Sequence, residues 1–341
     1  MMYDILETVE KWLQNNQQIA LATVVETWGS APRRVGAKMA VTQEMAMVGS
    51  VSGGCVETAV IDEALQSLED GRPRLLGFGV SDDEAWDVGL ACGGKISVYV
   101  EPLNTKWWQI VCDAAHNDQS ITTISVLDGE LAGEKIVTNS DSNILYVTDN
   151  LSQEHQSTLL SAIDGQAQSN RQTIGELDVL IDVQQSRPKL IIIGGAHVAM
   201  ALKNYAHILG FAVVLIDPRR AFASEGRFPD VSTILHSYPD KALEQIGLDN
   251  NSYVAILTHD PKIDDPALRT ALPSKAPYVG VLSSRRTHEK RIKRLTEAGV
   301  DPALLKRIHT PIGLDIGAQT PEEIALAIMA QIVAVRNGVQ S

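Results

Sequence analysis

The stretch Gly49–Glu57, GSVSGGCVE, sets Cys55 behind Gly53 and Gly54 and in front of an apolar run. A row of main-chain N–H groups leading into a helix, with the Ser50 and Ser52 hydroxyls beside them, makes a cradle for an anion. The same positive field favours the thiolate form of Cys55, and with it a nucleophile or a ligand for a soft metal. The competing reading is a small buried hydrophobe at a crowded turn. Arg33 and Arg34, in APRR just upstream, carry rigid donor forks that would complete a phosphate clamp; otherwise they are solvated surface charges. Cys92 has its own glycine pair in ACGG but no helix behind it, and Cys112 sits on an amphipathic run that reads as core.

A second constellation lies further along, where IIIGGAHVA follows a strand and opens a helix, and Asp217 ends the next strand. That is the order of a dinucleotide fingerprint, with Gly194, Gly195 and His197 at the phosphates and Asp217 on a ribose. Ala196 and Ala199 stand where the motif has its second and third glycines, so the turn also reads as one that only packs helix on sheet. His259 in LTHD, and Ser283 and Arg285 in SSRR, would sit at carboxyl ends of strands, the edge where open α/β sheets take ligands. The eight histidines show no metal-ligand spacing.

The elements that must position these residues follow from periodicity. Val56, Val60, Ile61, Ala64, Leu65 and Leu68 predict a helix closed by Gly71, which puts Cys55 at a helix N-terminus. Ahead of it, QIALATVVET, AKMAVTQ and EMAMVGSVS read as a strand and a short hairpin. In KISVYVEP, Ile96, Val98 and Val100 alternate as in a half-buried strand. The polar segment before DVLIDVQQ has no pattern, and SRP at Ser186–Pro188 marks a boundary between domains 1–186 and 187–341. Beyond it, near-continuous apolar strands alternate with helices, the mark of a parallel sheet covered on both faces. The last helix opens TPEE, where Thr320 and Glu323 form a capping box.

Composition narrows the partners. The chain has 341 residues, 44% apolar and 21% charged, as in globular proteins with room for two cores. With 29 basic and 42 acidic residues, a formal charge of −13 argues against nucleic acid and against anionic membrane surfaces. Three cysteines make no disulfide framework and fit a reducing compartment. The start of the chain reads as an acidic amphipathic helix and not a signal peptide, so the cytoplasm is the expected location. A homodimer is expected on base rate.

Taken in order, GSAPRRVGAKMAV, GSVSGGCVE, WDVGLACGGKISVYVEP, IIIGGAHVA with VVLIDPRRAFASEGRFP, LTHD and TPIGLDIGAQTPEEIALAI resemble the xanthine dehydrogenase accessory factors, the XdhC/CoxI family. The resemblance spans both domains except for about Asn104 to Gln185. It implies an α/β chain in which an N-terminal α/β accessory domain is followed by a Rossmann-like parallel-sheet domain. It also implies a protein that binds the molybdenum cofactor (molybdopterin) and protects it while its terminal sulfur is installed. The cofactor then passes to a xanthine dehydrogenase-type molybdoenzyme, and a cysteine desulfurase is a second candidate partner. Cys55 matches the family's glycine-flanked cysteine and is the expected metal contact, with Ser50, Ser52, Gly53, Gly54, Arg33 and Cys92 around the cofactor. The alternative reading is an NAD(P)-dependent oxidoreductase using Gly194, Gly195, His197 and Asp217, and a third is a scaffold that only holds a partner enzyme.

Overall fold

A computed structural model describes residues 2–29, 33–79, 94–163 and 168–339. The chain divides into two compact units, Met1–Ser186 and Arg187–Ser341. Among the described residues no helix is long and apolar enough to cross a membrane.

The first unit runs α1 (Leu6–Gln14), β1 (Ile19–Trp28), β2 (Lys38–Thr42), β3 (Met47–Gly49), α2 (Glu57–Asp70), β4 (Arg74–Phe78), β5 (Lys95–Pro102) and α3 (Thr105–His116). It continues with β6 (Ile121–Val126), β7 (Lys135–Asn139), β8 (Ile144–Val147), α4 (Gln153–Leu160), β9 (Asn170–Ile174) and β10 (Leu177–Gln184). The strands form two five-stranded antiparallel sheets, ordered β3-β2-β1-β5-β4 and β8-β7-β6-β10-β9. The segment without a sequence pattern supplies α4 and the edge strand β9.

Side-chain alternation sorts each strand between two faces. On the outer face of the first sheet, Val24, Met39 and Val98 pack on Val60 and Ala64 of α2 and on Val56 just ahead of it. The opposite face meets the second sheet, where Val25 and Tyr99 pack on Leu127 and Leu180. Two ion pairs cross this interior: Lys38 Nζ lies 2.7 Å from Asp182, and Lys135 Nζ lies 2.7 Å from Glu101, all four residues being buried. The expectation of a half-buried β5 is therefore corrected. Tyr99 and Glu101, on its presumed solvent side, are covered by the second sheet.

The second unit runs β11 (Lys189–Ile193), α5 (His197–Ile208), β12 (Ala212–Ile216), β13 (Thr233–Leu235), α6 (Pro239–Ile246), β14 (Ser252–Ile256) and α7 (Pro261–Ala271). Then come β15 (Tyr278–Val281), α8 (Arg285–Glu297), α9 (Pro302–Leu305), β16 (Ile308–His309) and α10 (Pro321–Arg336). Its six strands are parallel and ordered β13-β12-β11-β14-β15-β16, the Rossmann order with its switch between β11 and β14. Leu190 and Ile192 face α5 and α10, whereas Ile191 and Ile193 face α6 and α7. Burial on both faces explains the unbroken apolar runs. The α10 capping box is formed, with Glu323 N–H donating to Thr320 Oγ1 at 3.2 Å.

The crossed ion pairs make a prediction for the first unit. Lys135→Met keeps volume but strands Glu101 in a closed interior, and stability is expected to fall by about 3–5 kcal/mol in urea unfolding. Adding Glu101→Gln should recover part of that loss, because no unpaired charge is then buried. Equal stability of parent and Lys135→Met would remove the pair from the architecture.

Candidate functional site

Antiparallel pairing brings several strand ends together. β1 runs out toward Trp28, β2 begins at Lys38, β3 ends at Gly49, and Phe78 of β4 pairs with Ile96 of β5, all at one end of the first sheet. The segment of Arg33 and Arg34 and the loop of Cys55 leave from that end. Ala37 N–H donates to Arg34 O at 3.0 Å and Ser50 N–H to Lys38 O at 3.2 Å, which ties both to the start of β2. Arg33 is half-buried and Arg34 exposed. Cys92 lies outside the described residues. Cys112, on the buried face of α3, is in the core, where burial first and Glu10 second push its thiol up to about 12.

The Cys55 thiol is exposed, one residue ahead of Val56, the N-cap of α2. The expected cradle is present, and its occupant is the chain's own Glu57. The Glu57 carboxylate accepts from the N–H groups of Val51, Ser52 and Gly53 at 3.2, 2.9 and 3.0 Å on one oxygen and from Gly54 at 2.8 Å on the other. The hydroxyls of Ser50 and Ser52 also donate to it, at 2.7 and 2.5 Å. Ser52 Oγ in turn accepts from the N–H groups of Cys55 and Val56, both at 3.0 Å. Six successive N–H groups, Val51 to Val56, thus have partners inside the loop. Ser50, Ser52, Gly53 and Gly54 therefore act on a resident carboxylate and do not present free donors to a guest phosphate.

Local conformation requires the glycines. Gly53 and Gly54 have φ of 85° and 120°, which side chains with a Cβ rarely adopt. At Gly49, φ 82°, an added Cβ would lie 2.3 Å from Lys38 O, so the end of β3 can approach β2 only as glycine. Glu57 is missing from the sequence-based site, although its signal was there: an acidic residue in the first turn of a helix behind a Ser/Gly run is where free amides seek a carboxylate.

In the second unit the fingerprint turn is also filled. Asp217, with no exposed surface, accepts from Gly195 N–H at 3.0 Å, from Arg219 N–H at 2.9 Å and from the Arg219 guanidinium at 2.8 and 2.9 Å. Burial opposes its charge, but these donors outweigh it and hold the carboxyl below its usual value. A Cβ on Gly195 would lie 2.3 Å from Phe222 O, because the segment after β12 closes over the turn. Arg219 in turn stacks over the Phe222 ring at 4.1 Å. Asp217 is not open to ribose hydroxyls, nor Gly195 N–H to a diphosphate, so these residues do not fit NAD(P) in the fingerprint mode. His197 and His259 are exposed at the strand ends. Ser283 is buried and accepts from Arg291 at 3.0 Å, and Arg291 pairs with Asp264 at 2.9 Å. Arg285 is exposed.

The Glu57 contacts predict a pH dependence. Burial pushes its carboxyl up, but the hydroxyls of Ser52 and Ser50 and the Ser52 N–H prevail and lower it from 4.5 to about 2. A depressed folded value contributes stability above the unfolded value and loses it as pH falls toward the folded one. The stability gap between the parent and Glu57→Gln should therefore be full above pH 4.5 and close toward about 2. Urea midpoints at stepped pH measure it, and a gap that is flat across this window contradicts the carboxylate clamp.

Comparison with known proteins places the two units. Residues 12–79, which include the Cys55 loop, match the XdhC and CoxI family, and residues 190–332 match the XdhC Rossmann domain. YqeB of Escherichia coli is 27% identical over 335 residues, 98% of this chain and 46% of that protein, so the chain spans about half of that relative's length. A Bacillus subtilis protein described as a probable xanthine dehydrogenase component is 26% identical over 341 residues, 96% of each chain. PaoD of Escherichia coli, a molybdenum cofactor insertion chaperone, is 28% identical over 335 residues, 97% of this chain and 88% of that one. A crystal structure described as a xanthine dehydrogenase from Bacillus halodurans superimposes with a TM-score of 0.80 at 27% identity, covering 98% and 96% of the two chains. With family matches in both units and relatives along nearly its whole length, the chain belongs to the XdhC and CoxI family.

Proposed function

We propose that this protein binds the molybdenum cofactor, shields it while its terminal sulfur is installed, and passes it to a molybdoenzyme of the xanthine dehydrogenase type. The observation that carries the reading is the exposed Cys55 thiol on a loop with every amide tied down, in a chain related along nearly its whole length to an insertion chaperone. A thiol fixed on a stiff loop is suited to a soft metal or to a transferable sulfur. Arg33, at the same end of the sheet, supplies a positive charge for the phosphate-bearing part of the guest. A cysteine desulfurase as sulfur source and a homodimeric state belong to the same proposal.

Two measurements test it. Protein incubated anaerobically with molybdenum cofactor and then desalted is expected to retain it, and Cys55→Ala to retain at most about a tenth as much, a loss of about 1.4 kcal/mol in binding. A parent that retains none, or a Cys55→Ala chain that retains as much as the parent, ends the proposal. Calorimetric titration with NAD and NADP is expected to give no heat, since the turn at Gly195 is closed by Phe222 and Asp217. Saturable binding of either would revive an oxidoreductase.

A further inference from the structure

We infer that Glu57 is the positioning residue of the Cys55 site, and that it makes the loop a sulfur contact and denies it to phosphate. The inference rests on the reading of Cys55 given above, together with the geometry and charge of the loop. Ser-Gly-Gly before a helix is the kind of segment that binds anionic guests, because its N–H groups point into one concavity at the positive end of a helix. Here the concavity is closed by a carboxylate that the helix itself brings, from its first residue and only two positions beyond the cysteine. Glu57 is buried, at 7% exposure, and Ser52, which bridges it to Cys55 N–H, is at 1%. The two ends of the clamp are thus anchored, Glu57 through α2 and Ser50 through Lys38 O. Between them the chain has no spare donor from Val51 to Val56, and the exposed Cys55 side chain is the group it offers outward.

Two consequences follow from this positioning. The carboxylate fixes where the sulfur is, so removing it should weaken capture of a guest that needs the sulfur in one place. It also balances the positive field of the amides with a negative charge, so removing it frees donors toward the sulfur and should make the thiol react faster with a small electrophile. Loosening of the loop alone could also raise labelling and lower capture, so the deciding readout is rescue of Glu57→Ala by a carboxylate small enough for the vacated space.

The experiment uses the full chain, with Cys55 labelling by iodoacetamide read from the mass of its peptide, and the fold checked by circular dichroism. In the parent, inorganic phosphate is expected to leave the labelling rate unchanged. In Glu57→Ala the rate should rise about tenfold or more, as amide donors released by the carboxylate become available to the sulfur. A large excess of sodium formate, a carboxylate small enough for the vacated space, should bring it back, whereas sodium chloride at equal ionic strength should not. In Glu57→Gln, which fills the space without charge, the rate should rise and formate should have no effect. Cofactor retention should fall in both variants. The inference is overturned if both variants label at the parent's rate, if chloride restores Glu57→Ala as well as formate, or if phosphate protects Cys55 in the parent. Loss of the whole fold in Glu57→Gln overturns it too, by making Glu57 a residue of the core alone. A parent that retains no cofactor while the labelling pattern holds would end the proposed function and leave the positioning role standing.

Discussion

A glycine-rich segment entering a helix has too many donors and too much freedom, and the Cys55 loop meets both difficulties with the carboxylate of Glu57. Hydrogen bonds to a charged acceptor contribute on the order of 1.5–3 kcal/mol each before non-additivity, and this one takes four main-chain N–H groups and two hydroxyls. Without them, Gly53 and Gly54 would sample a wide range of backbone states, since glycine loses the most freedom on ordering. The exposed sulfur would then have no defined place. Because Glu57 is the first residue of α2, whose Val60 and Ala64 are set in the core, the position of the thiol is referred back to the sheet.

The sheet is itself constrained from its other side. Lys38 lies at the start of β2, where Ser50 N–H binds its carbonyl, and its ammonium pairs with Asp182 of the second sheet. The same residue therefore anchors the Cys55 loop through its main chain and the two-sheet interior through its side chain. Buried ion pairs are weak sources of net stability but punish misplacement, since either partner left alone is an uncompensated charge. Here that penalty favours one registration of the two sheets, and the strand ends that carry Arg33 and Cys55 inherit it.

Much of this is legible in the sequence, and what is not has identifiable causes. The helix after Cys55 and its stop at Gly71, the hairpin of β2 and β3, the parallel sheet and the capping box at Thr320 each depend on local pattern, and each is found in the structure. The covered face of β5 is not legible, because Tyr99 and Glu101 look like a solvent-facing row until a second sheet is known to lie against them. Nor are Lys38–Asp182 and Lys135–Glu101, whose partners are far apart in the chain and follow no spacing rule. At the site, the run of Ser and Gly before a helix does form a cradle, and the thiol beside it is exposed. What the pattern does not reveal is that Glu57, inside the same nine residues and to all appearance an ordinary helix-start acid, already takes the cradle's donors.

The second unit repeats that lesson with a different residue. Gly194 and Gly195 lead into α5 as Gly53 and Gly54 lead toward α2, and in both turns an amide that a nucleotide or phosphate would use is bonded to an aspartate or glutamate of the same chain. Sequence patterns for anion binding record the donors and are blind to whether the acceptor is a visitor or a resident. The distinction lies in what is left over once the resident is in place. In the second unit little is left, for Asp217 is fully enclosed and Phe222 O lies against Gly195. In the first unit the resident leaves a cysteine facing solvent, with its own N–H already satisfied by Ser52. Fold and motif alone would have assigned guest binding to the Rossmann turn, as they do for many proteins of that architecture. With the donors paired, the Rossmann turn is closed at Gly195, while in the antiparallel unit Cys55 stays exposed beside a loop whose amides are already bonded.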